Sequence, residues 1–200
     1  FLCAPIQFPA KDNMAPLPGT ESEVNTIAAL FPSNSTSVTK FTEANEDIVK
    51  SGALSKFDYL HFATHGVVDE TDPELSRVYL QSGQHEDGNL FAGEIYNLNL
   101  NAELAVLSAC QTGLGKLSKG EGVIGLSRAL VYAGARNIIV SFWSVADEST
   151  SQLMTDFYKS LIQNKNQNFR ETLRDAKVKM ISEGKYALPY YWAPFILIGF

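Results

Sequence analysis

Three short segments carry side chains suited to covalent catalysis. Thr64-His65-Gly66, Ser108-Ala109-Cys110-Gln111-Thr112-Gly113 and Trp143-Ser144-Val145-Ala146-Asp147 supply an imidazole, a thiol and a carboxylate in turn. A thiol attacks a carbonyl as the thiolate, so its cysteine needs a nearby base and some exposure. Histidine takes up and returns a proton near neutral pH. The developing oxyanion needs N–H donors, and the backbones of Gly66 and Cys110 can offer them. Gly66 also has no side chain to obstruct a substrate carbonyl. Cys110 thus reads as a nucleophile and His65 as its acid–base partner. Taken alone, the same residues also fit a buried structural cysteine at a strand end and a hydrogen-bonded loop histidine.

Asp147 has two readings. An Asp ahead of an apolar-periodic stretch suits a helix N-cap. A carboxylate after a strand end also suits a pocket beside the nucleophile, with Trp143 as a wall. Such a pocket favours Arg or Lys before the cleaved bond and repels acidic side chains. His61 and His65 make a His-x-x-x-His pair, but no third metal ligand is evident. His61 reads instead as a hydrogen-bonded core residue. His85 lies in a polar loop. The chemistry calls for no metal and no organic cofactor. The glycines between Gly125 and Gly134 form neither a dinucleotide fingerprint nor a Walker motif.

The elements that must position these residues alternate in type. Residues 1–6 suit a short strand, and Pro9, Pro16 and Pro18 mark an extended connection up to Gly19. Thr20 with Glu23 three residues on reads as a capping box, opening a helix with Val24, Ile27, Ala28 and Phe31 on one face. Strands are expected at 36–41, 57–63, 77–80, 104–109, 137–143 and 195–200. Helices are expected at 43–50, 92–97, 123–132 with Gly134 as C-cap, from Asp147 or Ser149 onward, and at 169–181. Gly113 to Gly122 reads as a loop. The continuous apolar run at 104–109 suits a strand covered on both faces. The pattern predicts an α/β protein, a three-layer α/β/α sandwich around a mostly parallel sheet. Functional residues then fall at the C-terminal strand ends, where the three segments sit.

The segments LHFATHG (60–66), VLSACQTGLG (106–115), GEGVIGLSRALVYAGAR (120–136), SFWSVAD (141–147) and PYYWAPFILIG (189–199) closely resemble the CHAT family. Those are bacterial and archaeal peptidases of the caspase–separase clan, and LPGTESEVNTIAALF (17–31) is similar to the family's opening. The resemblance covers nearly the whole chain. It implies a caspase-like fold, a dyad of His65 and Cys110 with no obligatory third member, and endopeptidase activity on protein substrates. The segment from Trp143 to Asp147 is similar to the separase stretch whose Asp receives a basic side chain. Family members often carry tetratricopeptide or similar repeats N-terminal to this domain, which implies a regulatory partner region. The contrasting expectation is a catalytically silent caspase-like scaffold or interaction module.

Composition narrows the setting. The chain has 16 basic and 22 acidic residues, a net charge of −6, which disfavours a nucleic-acid partner. No apolar run is long enough to span a bilayer. Two cysteines, Cys3 and Cys110, make no disulfide framework and point to a reducing, cytoplasmic compartment. Two hundred residues suit one domain, 1–200. Because the chain opens on Phe1 rather than Met, the expectation is a C-terminal piece of a longer protein.

Overall fold

The computed structural model describes residues 1–9, 14–108, 121–163 and 168–199. Its centre is a six-stranded sheet. In chain order its strands are β1 (Leu2–Ala4), β2 (Val38–Lys40), β3 (Tyr59–Phe62), β7 (Leu104–Leu107), β8 (Asn137–Ser141) and β9 (Phe195–Gly199). Their spatial order is β2-β1-β3-β7-β8-β9. Every pairing is parallel except β8 with β9. A second, antiparallel sheet holds β4 (Gly66–Val67), β5 (Arg77–Tyr79) and β6 (Asn89–Phe91).

Side-chain alternation shows why the sheet is buried on both faces. In β7, Leu104 and Val106 join one hydrophobic cluster while Ala105 and Leu107 join the other. In β8, Ile139 faces the first cluster, and Ile138 and Val140 face the second. A period of two with apolar residues at every position requires a helical layer on each side. Helices α1 (Pro18–Ala28), α5 (Asp147–Gln163) and α6 (Phe169–Glu183) supply one layer through Val24, Ile27, Leu153, Phe157, Leu173 and Met180. Helices α2 (Glu46–Lys50), α3 (Ala92–Ile95) and α4 (Glu121–Tyr132) supply the other through Val49, Ile95, Leu126 and Leu130. A short helix α7 (Pro189–Trp192) precedes β9. The expected three-layer sandwich is therefore present.

Two local expectations fail for identifiable reasons. Thr20 does not cap α1. Pro18, with its preset φ, sits in the first turn, so the helix starts earlier and Thr20 Oγ1 turns back to donate to Leu17 O at 2.6 Å. The stretch 77–80 does form a strand, but not in the main sheet. Nine residues, 68–76, join it to β4, too few for a parallel crossover, so β5 folds back onto β4 antiparallel.

Gly134 ends α4 as expected. Its N–H reaches Val131 O at 3.0 Å and the Ala135 N–H reaches Leu130 O at 2.9 Å, the paired bonds of a Schellman motif. Its φ is +113°, and a Cβ there would lie 2.1 Å from Leu100 O.

Candidate active site

The strand order places β3, β7 and β8 side by side. His65 follows β3, and Trp143 and Asp147 follow β8, at the C-terminal edge, while in the sequence Cys110 comes three residues after the end of β7. Cys110 itself lies outside the described residues, as does most of the stretch from Gly113 to Gly122. Ser108, the last described residue before it, is buried, and its N–H donates to Phe62 O at 3.0 Å.

His65 is 2% exposed. Its Nε2 lies 2.8 Å from the carbonyl oxygen of Ala15. A carbonyl only accepts, so Nε2 carries the proton and Nδ1 holds a lone pair. Among the described residues Nδ1 has no partner. The Phe8 ring packs on the imidazole with centroids 4.7 Å apart. Burial pushes the His65 pKa below its ordinary value, against the opposing pull of the Ala15 carbonyl and the Asp147 charge. The ring is thus a neutral, fixed-tautomer base at pH 7. Neighbouring Thr64 donates its hydroxyl to Tyr79 O, and the Tyr79 N–H donates to His65 O, pinning the backbone on both sides of the ring. Antiparallel alternation then turns the Gly66 N–H away from β5.

Asp147 is the first residue of α5, yet it does not cap α5. Its Oδ2 accepts the N–H of Gly19 in the first turn of α1, at 2.5 Å. The capping expectation is therefore corrected: Asp147 serves an unpaired N–H of a different helix, brought close because α1 packs on α5. Burial raises the pKa of this half-buried carboxyl. The Gly19 N–H opposes that rise, the Glu23 charge adds to it, and His65 opposes it. Trp143 donates Nε1–H to Tyr190 O at 3.0 Å, and Tyr190 returns its hydroxyl to Ser144 O at 2.8 Å. Helix α7 is thereby tied to the turn after β8.

His61 meets Glu23 of α1 at 2.8 Å, both side chains fully buried. Among the described residues the carboxylates that converge closely enough for a metal are Glu46, Glu86 and Glu94. The Lys50 ammonium already lies 2.6–2.7 Å from all three and supplies the cation there. Cys3 is buried in β1, and burial pushes its pKa up to about 12, so it is an inert thiol at neutral pH.

Three contributors escaped the sequence, and a fourth, Glu23, was expected in a capping box but meets His61 instead. Ala15 and Gly19 act through backbone atoms, which leave no side-chain signature. Phe8 touches His65 across a long sequence separation. Glu23 did leave a signal, since a carboxylate on the same helical face as Val24 and Ile27 has to find a buried partner.

A parallel-centred α/β sandwich with these strand ends defines a caspase-like domain. The CHAT domain family matches residues 6–200, and the chain belongs to that family, which is related to the clan CD cysteine peptidases. The chain is also similar to tetratricopeptide repeat protein 28 of mouse, 31% identical over 110 residues, and to the human protein of that name, 33% identical over 110 residues. Each match covers 55% of this chain but only 4% of the relative's length. No helix among the described residues is long and apolar enough to cross a membrane.

Proposed function

We propose that this domain is a cysteine endopeptidase with Cys110 as nucleophile and His65 as general acid–base. The observation that carries it is the imidazole itself: buried, neutral, held in one tautomer by Ala15, with Nδ1 unpaired among the described residues. Nδ1 takes the thiol proton as sulfur attacks the scissile carbonyl. The C–N bond then breaks, the same proton passes to the departing amine, and a thioester remains. Water, deprotonated by Nδ1, hydrolyses the thioester and restores the thiol. The N–H groups of Gly66 and Cys110 bind the oxyanion. Asp147 receives an Arg or Lys side chain through Oδ1, with Trp143 as a wall. The domain acts in the cytoplasm as part of a longer chain, under the control of an N-terminal tetratricopeptide-like region.

The likeness to tetratricopeptide repeat protein 28 favours a second reading, an interaction module within a repeat protein. A thiol-directed peptidyl electrophile separates the two. Under the peptidase reading it labels one thiol per chain. Labelling is lost in Cys110→Ala, kept in Cys3→Ala and slowed in His65→Ala, and both site variants lose peptide cleavage while keeping their circular dichroism. Unchanged cleavage in either variant would overturn the mechanism. Folded protein without labelling or cleavage, with its repeat region present, would leave the interaction reading.

A further inference from the structure

The segment leading into α1 touches the site twice within five residues. Ala15 O accepts the proton-bearing nitrogen of His65 at 2.8 Å, and the Gly19 N–H donates to Asp147 Oδ2 at 2.5 Å. One helical turn later, Glu23 is fastened to His61 in the core at 2.8 Å. The stretch 15–23 is therefore held to two histidines of the β3 line and to the start of α5. Gly19 is special within it. A Cβ built there would lie 2.7 Å from Oδ2, 2.8 Å from Cγ and 2.9 Å from Oδ1 of Asp147. No side chain fits without displacing the whole carboxylate, although the φ of Gly19 is not in the left-handed region. The glycine is thus required by its neighbour rather than by its own backbone.

We propose that Gly19 is a positioning residue of the site: its N–H and its missing side chain together hold the Asp147 carboxylate toward His65, so that the start of α1 sets the charge environment of the imidazole. The consequence for activity rests on His65 being the proton carrier, whereas the positioning itself does not. Among the described residues Asp147 is the charged group acting on His65, and Glu23, His65 and Glu148 are those acting on Asp147. Ala15 O and the Phe8 ring, both uncharged, also contact the imidazole.

The test is histidine NMR in a Cys110→Ala background, which removes the neighbouring thiol's own titration. The chain has three histidines, so substitution of His61 and His85 assigns the signals. Asp147→Asn keeps an acceptor for the Gly19 N–H but removes the charge, and should lower the His65 midpoint by about half a unit or more. Gly19→Ala should lower it in the same direction. The two together should go no further than the larger single effect, as for residues acting through one interaction. The His85 midpoint should stay put. Alanine is the better helix former, so a merely structural glycine would give a more stable protein with an unmoved His65 midpoint. An unmoved midpoint in Gly19→Ala, or additive shifts, would overturn the proposal. Should Gly19→Ala fail to fold, an unmoved midpoint in Asp147→Asn alone would do the same. The expected shifts in a protein without peptidase activity would leave the positioning intact and count against the catalytic reading only.

Discussion

At the scale of single residues, the distinctive feature is a histidine kept neutral by burial. Its folded pKa lies below the value near 6.5 expected in the unfolded chain. Below about pH 6.5 the unfolded chain therefore binds more protons than the folded one, and stability falls as pH falls. The contribution is fully present above the unfolded value and is lost across the window down to the folded value. His65→Gln should flatten the loss of urea stability between pH 6.5 and 5 relative to the parent protein. An identical slope in both would show that the imidazole is not held below its ordinary pKa. Asp147 behaves oppositely, since its raised pKa makes the folded state the stronger proton binder. Its carboxylate is nonetheless retained on a charge-assisted bond to Gly19, which a neutral acceptor would make more weakly.

At the scale of elements, two contacts decide whether the frame holds. The Glu23–His61 pair joins α1 to β3 with no access to water, and Glu23 Oε2, His61 Nδ1 and the nearby Tyr158 hydroxyl lack partners among the described residues. Removing one member leaves the other buried alone. Glu23→Ala should then cost about 3–5 kcal/mol in chemical denaturation, while Glu23→Leu with His61→Phe should cost far less. A double variant as damaged as the single one would mean that the pair contributes net stability instead of mutual compensation. The second contact is the end of α4. A side chain at Gly134 meets both the left-handed φ and the Leu100 carbonyl, so Gly134→Ala should cost about 2 kcal/mol or more. A loss below half that value would show that the turn can shift to accept a methyl group. Sequence reading found α4 and its glycine because a helix end of this kind has a local signature. It placed the N-cap of α1 at Thr20, three residues late, because Pro18 with its preset φ opens the helix and Leu17 is the residue before it.

At the scale of the whole molecule, net charge and the proposed pocket would favour the same side chains. The chain carries −6, and one of the carboxylates counted in it is the Asp147 of the proposed pocket. Matched peptides with Arg, Lys, Leu or Asp before the cleaved bond should rank with Arg and Lys first and Asp last by kcat/KM. The advantage of the basic peptides should shrink as salt is added, because long-range attraction is screened. A preference for Asp, or an Asp147→Ala enzyme that still prefers Arg as strongly, would refute the pocket assignment.

By itself the sequence determined the layered α/β frame, because apolar runs such as 104–107 and 137–141 can be buried only by helices on both faces of a sheet. It also placed the imidazole and carboxylate segments at one edge of the sheet, because the chain leaves each parallel strand at the same edge. What only the tertiary structure decided are the contacts made by atoms that every residue owns. Ala15 fixes the tautomer of His65 with a carbonyl, and Gly19 holds Asp147 with an N–H and an absent side chain. Backbone atoms are the same at every position, so which of them meets a given side chain is settled only when the helices pack.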